Sequence, residues 1–85
     1  MRAVIFVRGE DVGWQYARCK KYARSKGYEV VTMISKVSEI YDTVKKEDVD
    51  VLIVNSPDRI TRDRLEYESV QHILRGFGVT IELVQ

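Results

Sequence analysis

A chain of 85 residues, 45% hydrophobic and 32% charged, has room for one domain with one modest core and is too apolar for a disordered tail. Its formal net charge of +1 excludes a bulk electrostatic case for nucleic-acid binding, so any such case must rest on local clusters. One cysteine, Cys19, excludes an internal disulfide, and one histidine, His72, leaves too few ligands for a His/Cys metal site.

The first apolar run, residues 3–7, contains Val4, Ile5, Phe6 and Val7 without a polar interruption, the pattern of a strand covered on both faces. It is too short for a signal peptide and is followed by Arg8, Glu10 and Asp11. Val12, Tyr16, Cys19 and Ala23 then recur at helical spacing and end at Gly27. Cys19 suits the buried face as a small apolar side chain, Tyr16 is expected to point inward, and the spacing leaves Trp14 undecided. A mixed second strand over residues 28–34 follows. Val37, Ile40, Tyr41 and Val44 mark a second helix, and residues 49–54, broken only by Asp50, a second fully covered strand. Val70, Ile73, Leu74 and Phe77 predict a third helix that Gly78 ends. Val79, Ile81 and Leu83 alternate with Thr80, Glu82 and Val84, which predicts a strand with one more exposed face. No segment reaches the length of a membrane span, and a cytoplasmic location is expected.

The order βαβαβαβ predicts a flavodoxin-like, three-layer, doubly wound α/β domain over residues 1–85, because parallel strands need crossovers and helices on both faces. The most apolar strands, the first and third, belong in the centre. Right-handed crossovers then give a four-stranded, mostly parallel sheet in the order 2-1-3-4 with three helices. In that order the connections reverse between strands one and three, and ligands bind such folds beyond the carboxyl ends of those strands. The expected site therefore lies after Val7 and after Val54.

Those two loops read Arg8-Gly9-Glu10-Asp11 and Asn55-Ser56-Pro57-Asp58-Arg59-Ile60-Thr61-Arg62-Asp63. Arg8, Arg59 and Arg62 are candidates for phosphate, since a guanidinium fork matches two phosphate oxygens at once. Asp58 would orient a guanidinium or, less often, move a proton. The start of the third helix, near Thr61 to Asp63, would add backbone N–H donors. The alternative is ordinary loop-and-cap chemistry, with Arg59 and Arg62 solvated or paired to Asp63 or Glu66.

Phe6-Val7-Arg8-Gly9-Glu10 after the first strand and Asp58-Arg59-Ile60-Thr61-Arg62 after the third resemble motifs of the serine recombinases (resolvases and invertases). The first family motif reads tyrosine-x-arginine-valine-serine and the second aspartate-arginine-leucine-serine-arginine. Cys19 to Val31 is similar to the family's first helix and second strand, and Val49 to Val84 to its third strand, following helix and fourth strand. The resemblance implies a catalytic-type domain in which a serine attacks a DNA phosphodiester, arginines stabilise the phosphate charge and an aspartate organises them. It assigns those positions to Arg8, Asp58, Arg59 and Arg62, and it places Glu10 where the nucleophilic serine stands.

Three departures follow. Glu10 would repel phosphate and pair with the arginines. Met33-Ile34-Ser35-Lys36-Val37 passes straight into the next helix, where the family has a longer loop with another arginine. The long dimer helix and the C-terminal DNA-binding domain that the family places after the fourth strand are expected to be missing. The expectation is a degenerate domain without strand-exchange activity of its own, related to DNA recombination and mobile elements. It would retain an arginine-rich phosphate site, bind DNA weakly, need no cofactor, and act alone, as a homodimer or beside a recombinase-like partner. Ser56 and Thr61 are poor substitutes for the serine because neither has a neighbouring base by sequence, and Thr61 reads as a helix cap.

The first helix adds Arg18, Lys20, Lys21, Arg24 and Lys26 with no acidic residue between Val12 and Tyr28, so Lys20, Lys21 and Arg24 join the phosphate candidates. The plainer reading is a solvated helix face. Two rival functions remain open. One is a protein–protein interaction module using the same fold, with the last strand as an open edge. The other is an enzyme with Glu10, Asp11 and Asp58 holding Mg²⁺, a weak site among arginines.

Overall fold

Alternation along the two central strands sets the layers. In β1 (Arg2–Phe6), Val4 and Phe6 point to one side of the sheet and Ala3 and Ile5 to the other. In β3 (Val51–Val54), Leu52 and Val54 point to the first side and Val51 and Ile53 to the second, and both strands are buried along this stretch. The computed structural model describes residues 1–84.

The remaining elements are α1 (Val12–Lys26), β2 (Glu29–Ile34), α2 (Ser38–Lys46), α3 (Arg64–Gly76) and β4 (Thr80–Leu83), with a single 3₁₀ turn at Pro57–Arg59. The strands form one parallel sheet in the order β2-β1-β3-β4, as the apolar runs predict. Only α1 covers the Ala3/Ile5 face, through Cys19 and Ala23, whereas α2 and α3 cover the Val4/Phe6 face through Ile40, Val44, Val70 and Leu74. The fully buried Ile40 and Leu74 each stabilise the fold by about 1.5–3 kcal/mol. Burial pushes the Cys19 thiol up to about 11, so it is protonated and unreactive near neutral pH.

Gly27 ends α1 with φ +75°, its N–H donating to the carbonyls of Ala23 and Arg24, a left-handed conformation that favours glycine. The loop between β2 and α2 holds only residues 35–37, the short passage read from the sequence. The third helix departs from expectation in two ways. It starts at the far end of the expected Thr61–Asp63 stretch with Asp63, not Thr61, as the cap, accepting from the N–H groups of Leu65 and Glu66, while Pro57 opens a separate 3₁₀ turn. Of its predicted apolar face, Val70 and Leu74 are buried, but Ile73 and Phe77 are exposed, and Lys45 lies over the Phe77 ring at 5.7 Å. No helix among the described residues is long and apolar enough to cross a membrane.

Candidate functional site

The register of the central strands brings the two predicted loops together. Phe6 pairs with Val54 as the last rung between β1 and β3, so the chain leaves both strands side by side. Beyond them Arg8 and Arg59 clasp the loops reciprocally. A guanidinium nitrogen of Arg8 donates to the Ile60 carbonyl at 3.2 Å, and one of Arg59 donates to the Arg8 carbonyl at 3.4 Å. Ile60 is buried against the α2/α3 side of the core, which anchors the second loop between Arg59 and Arg62.

The first loop turns sharply through Gly9 at φ +85° and Asp11 at φ +56°. A Cβ on Gly9 would stand 3.2 Å from the Arg59 guanidinium, so glycine lets that group lie close over the backbone. The loop is held from below by Gln15, a fully buried residue of α1. Its side-chain amide donates to the carbonyls of Arg8 at 2.9 Å and Glu10 at 2.7 Å, and its oxygen accepts from the Arg8 N–H at 3.2 Å. Sequence reasoning missed Gln15. The signal was there, since it lies three residues after Val12 and four before Cys19, a polar side chain on the apolar face of the helix.

Arg8, Gly9, Asp58, Arg59 and Arg62 line one cleft of about 530 Å³, which Thr61 and Glu66 also line. None of the three arginines makes an ion pair among the described residues; the pairs present are Arg2 with Glu29 and Glu47, and Arg64 with Glu68. The anticipated pairing of Arg59 and Arg62 with Asp63 or Glu66 is therefore not made. Asp63 is instead occupied in capping α3. Glu10 is likewise exposed and unpaired, does not line the cleft, and does not neutralise the arginines as expected. The buried Nε of Arg59 and the buried Oδ1 of Asn55 have no partner among the described residues, so this end of the sheet carries unspent hydrogen-bonding capacity.

Ser56 corrects one expectation. Its hydroxyl donates to the Asp58 carboxylate, so it does have a neighbouring base. That bond, aided by the Asp58 backbone and the charges of Arg59 and Arg62, holds the Asp58 carboxyl below its ordinary value. A carboxylate so stabilised is a poor proton acceptor, and Ser56 is buried and does not line the cleft. Thr61 is not the helix cap either; its hydroxyl oxygen accepts from the Asp63 N–H at 3.2 Å. Glu10, Asp11 and Asp58 do not gather as a metal-binding group, and no three His, Cys, Asp or Glu residues do so among the described residues. Lys20, Lys21 and Arg24 lie along α1 and do not line the cleft.

The geometry has counterparts. The C-terminal catalytic domain of ISC1926 TnpA, an IS607-like serine recombinase, superposes with a TM-score of 0.89 at 28% identity, over 100% of this chain and 70% of that one. The chain has the fold of a serine recombinase catalytic domain. The N-terminal catalytic domain of TP901-1 integrase shares it with a TM-score of 0.90 at 15% identity, over 99% of this chain and 77% of that one. A resolvase family site-specific recombinase from Streptococcus pneumoniae does so at 0.85 and 17% identity, over 99% and 72%. Comparison with family models and with curated proteins gives no match. In this chain the cleft at the carboxyl ends of β1 and β3 is lined by Arg8, Arg59 and Arg62, and Glu10 lies in the first loop outside it.

Proposed function

We propose that residues 1–85 form a resolvase-like domain related to DNA recombination that binds phosphate groups of DNA in the arginine cleft and does not cut the strand. The observation that carries this reading is the set of three arginines lining one cleft with no carboxylate paired to any of them. Leaving cations unpaired on one concave surface suits a phosphodiester, whose oxygens accept from guanidinium forks. Cutting would need a hydroxyl aimed into the cleft beside a base. Glu10 has none, Ser56 is buried away from the cleft, and Thr61 has no carboxylate partner. On this reading the domain works in the cytoplasm, where it occupies DNA or joins a recombinase-like partner.

The test is binding of a fluorescent DNA duplex, followed by anisotropy across salt concentrations. Replacing Arg8, Arg59 and Arg62 together by alanine should abolish binding and flatten its salt dependence. Binding unchanged in the triple variant overturns the site, and nicking of a supercoiled plasmid by the unaltered chain overturns the inactivity.

A second reading, a protein–protein module, is favoured by β4. It pairs with β3 on one side only and exposes Leu83 at the outer edge of the sheet. Light scattering across concentration separates the two readings, since a homodimer formed through this edge would dissociate when Leu83 is changed to lysine.

A further inference from the structure

The outer surface of α1 is a second place where positive charge collects. This helix holds five of the 14 basic residues and none of the 13 acidic ones, so the rest of the chain is net negative. Two of these five cations, Arg18 and Lys21, share one stripe with the exposed indole. Trp14, Arg18, Lys21 and Ser25 follow one another at spacings of four, three and four, which aligns them on a single stripe. Arg18, Lys21 and Ser25, with Tyr22 and Val84, line a groove of about 350 Å³ between this stripe and the end of the β4 segment. Trp14 stands one turn before it, half-exposed at 51%, with the Arg18 guanidinium stacked over its ring at 4.7 Å.

We infer that this stripe is a binding track for single-stranded nucleic acid, with phosphates on Arg18 and Lys21 and an unpaired base stacked at Trp14. It rests on the proposed function only in taking nucleic acid as the ligand; the residues are separate from the arginine cleft. An exposed indole offers nothing to a duplex, whose base faces are already stacked on one another. It suits a single strand, whose bases stack on aromatic rings and guanidinium planes regardless of sequence. The half-buried tyrosine and valine of the groove give the sugar and base edges apolar surface. Glu82, whose carboxylate contacts Tyr22 of the groove, is engaged from two directions. It accepts from the Tyr22 hydroxyl at 2.7 Å and from the Tyr28 hydroxyl at 2.9 Å. Those bonds push Tyr22 up to about 12, so both partners of the network keep their protons in neutral solution and go on masking the acid. An acidic peptide would satisfy the cations but would leave the stacking platform unused.

Trp14 is the only tryptophan, which makes the chain its own reporter. Titration with a thymidine oligonucleotide should quench its fluorescence in a saturable, salt-sensitive way. By anisotropy of the labelled oligonucleotide, Trp14→Ala and Lys21→Glu should each weaken binding by about tenfold, while Lys21→Arg retains it. Both positions are exposed, so the melting temperature should stay unchanged and fold loss cannot mimic the effect. Absence of quenching, tighter binding of the matched duplex than of the single strand, or equal competition by poly-glutamate overturns the track. The Arg8, Arg59 and Arg62 triple variant separates the two sites. If it keeps single-strand quenching while losing duplex binding, the track stands by itself. If it alone loses single-strand binding, and the α1 variants do not, the track fails and the cleft stands.

Discussion

The two ends of β1 each carry an arginine, and the structure treats them in opposite ways. Arg2, at the amino end, is surrounded by acceptors. Its side chain donates to the Asp48 carbonyl at 2.8 Å and lies 3.4 Å from Glu29 and 3.6 Å from Glu47, while its backbone N–H donates to Asp50 at 2.8 Å. Arg8, at the carboxyl end, has one backbone carbonyl and no carboxylate, and two further unpaired arginines stand beside it. Nothing in strand propensity distinguishes the two positions. The difference is that one end spends its positive charge on the fold and the other holds it in reserve, which separates a structural arginine from one available to a ligand.

The largest expected effect attacks what holds the reserve in place. Gln15→Leu removes three hydrogen bonds, strips the Arg8 N–H and the Glu10 carbonyl of their partner and leaves the Arg8 carbonyl only the longer bond from Arg59, and should cost about 3 kcal/mol in denaturant unfolding. A loss below about 1 kcal/mol would show that the loop holds itself up without the clamp. Next, Arg2→Met should lower stability by no more than about 1 kcal/mol, because its ion pairs are partly exposed and screened by salt. It should leave DNA binding untouched, whereas Arg8→Met should weaken DNA binding with little effect on unfolding. Equal effects of the two on binding would erase the distinction between the ends.

The smallest effect concerns acid. Asp58 has its folded pKa depressed, chiefly by the Ser56 hydroxyl, so its contribution to stability is complete above the unfolded carboxylate value and is lost as pH falls through the lower folded value. Asp58→Asn should flatten that part of the acid limb in a stability–pH profile. A profile identical to that of the unaltered chain would mean that the Ser56–Asp58 bond has no energetic weight in solution.

Much of the frame was legible before any coordinates. Residues 3–7 and, past Asp50, residues 51–54 are apolar on both parities, as a covered central strand needs, and that observation puts β1 and β3 side by side and hence Arg8 near Arg59. The helix spacing found α1 and α2 for the same reason. What stayed hidden depends on contacts between segments far apart in sequence. Whether Arg59 meets Glu66 or the Arg8 carbonyl is decided by where Ile60 is anchored, not by neighbours along the chain. Thr61 and Asp63 are both acceptable caps by residue type, Asp the better of the two, and the 3₁₀ turn begun by Pro57 leaves the helix start to the second. Ile73 and Phe77 carry an apolar pattern without burial because no further layer lies over that part of α3 among the described residues.

Cys19 gives the molecule a clock. Its thiol is wholly enclosed between α1 and the sheet and is the only one in the chain, with its proton held until the solution is strongly alkaline. A thiol reagent can reach it only when α1 lifts away from the sheet. The labelling rate therefore counts openings of the one layer that protects that face, and a strand bound along the outside of α1 should slow the count without ever touching the sulfur.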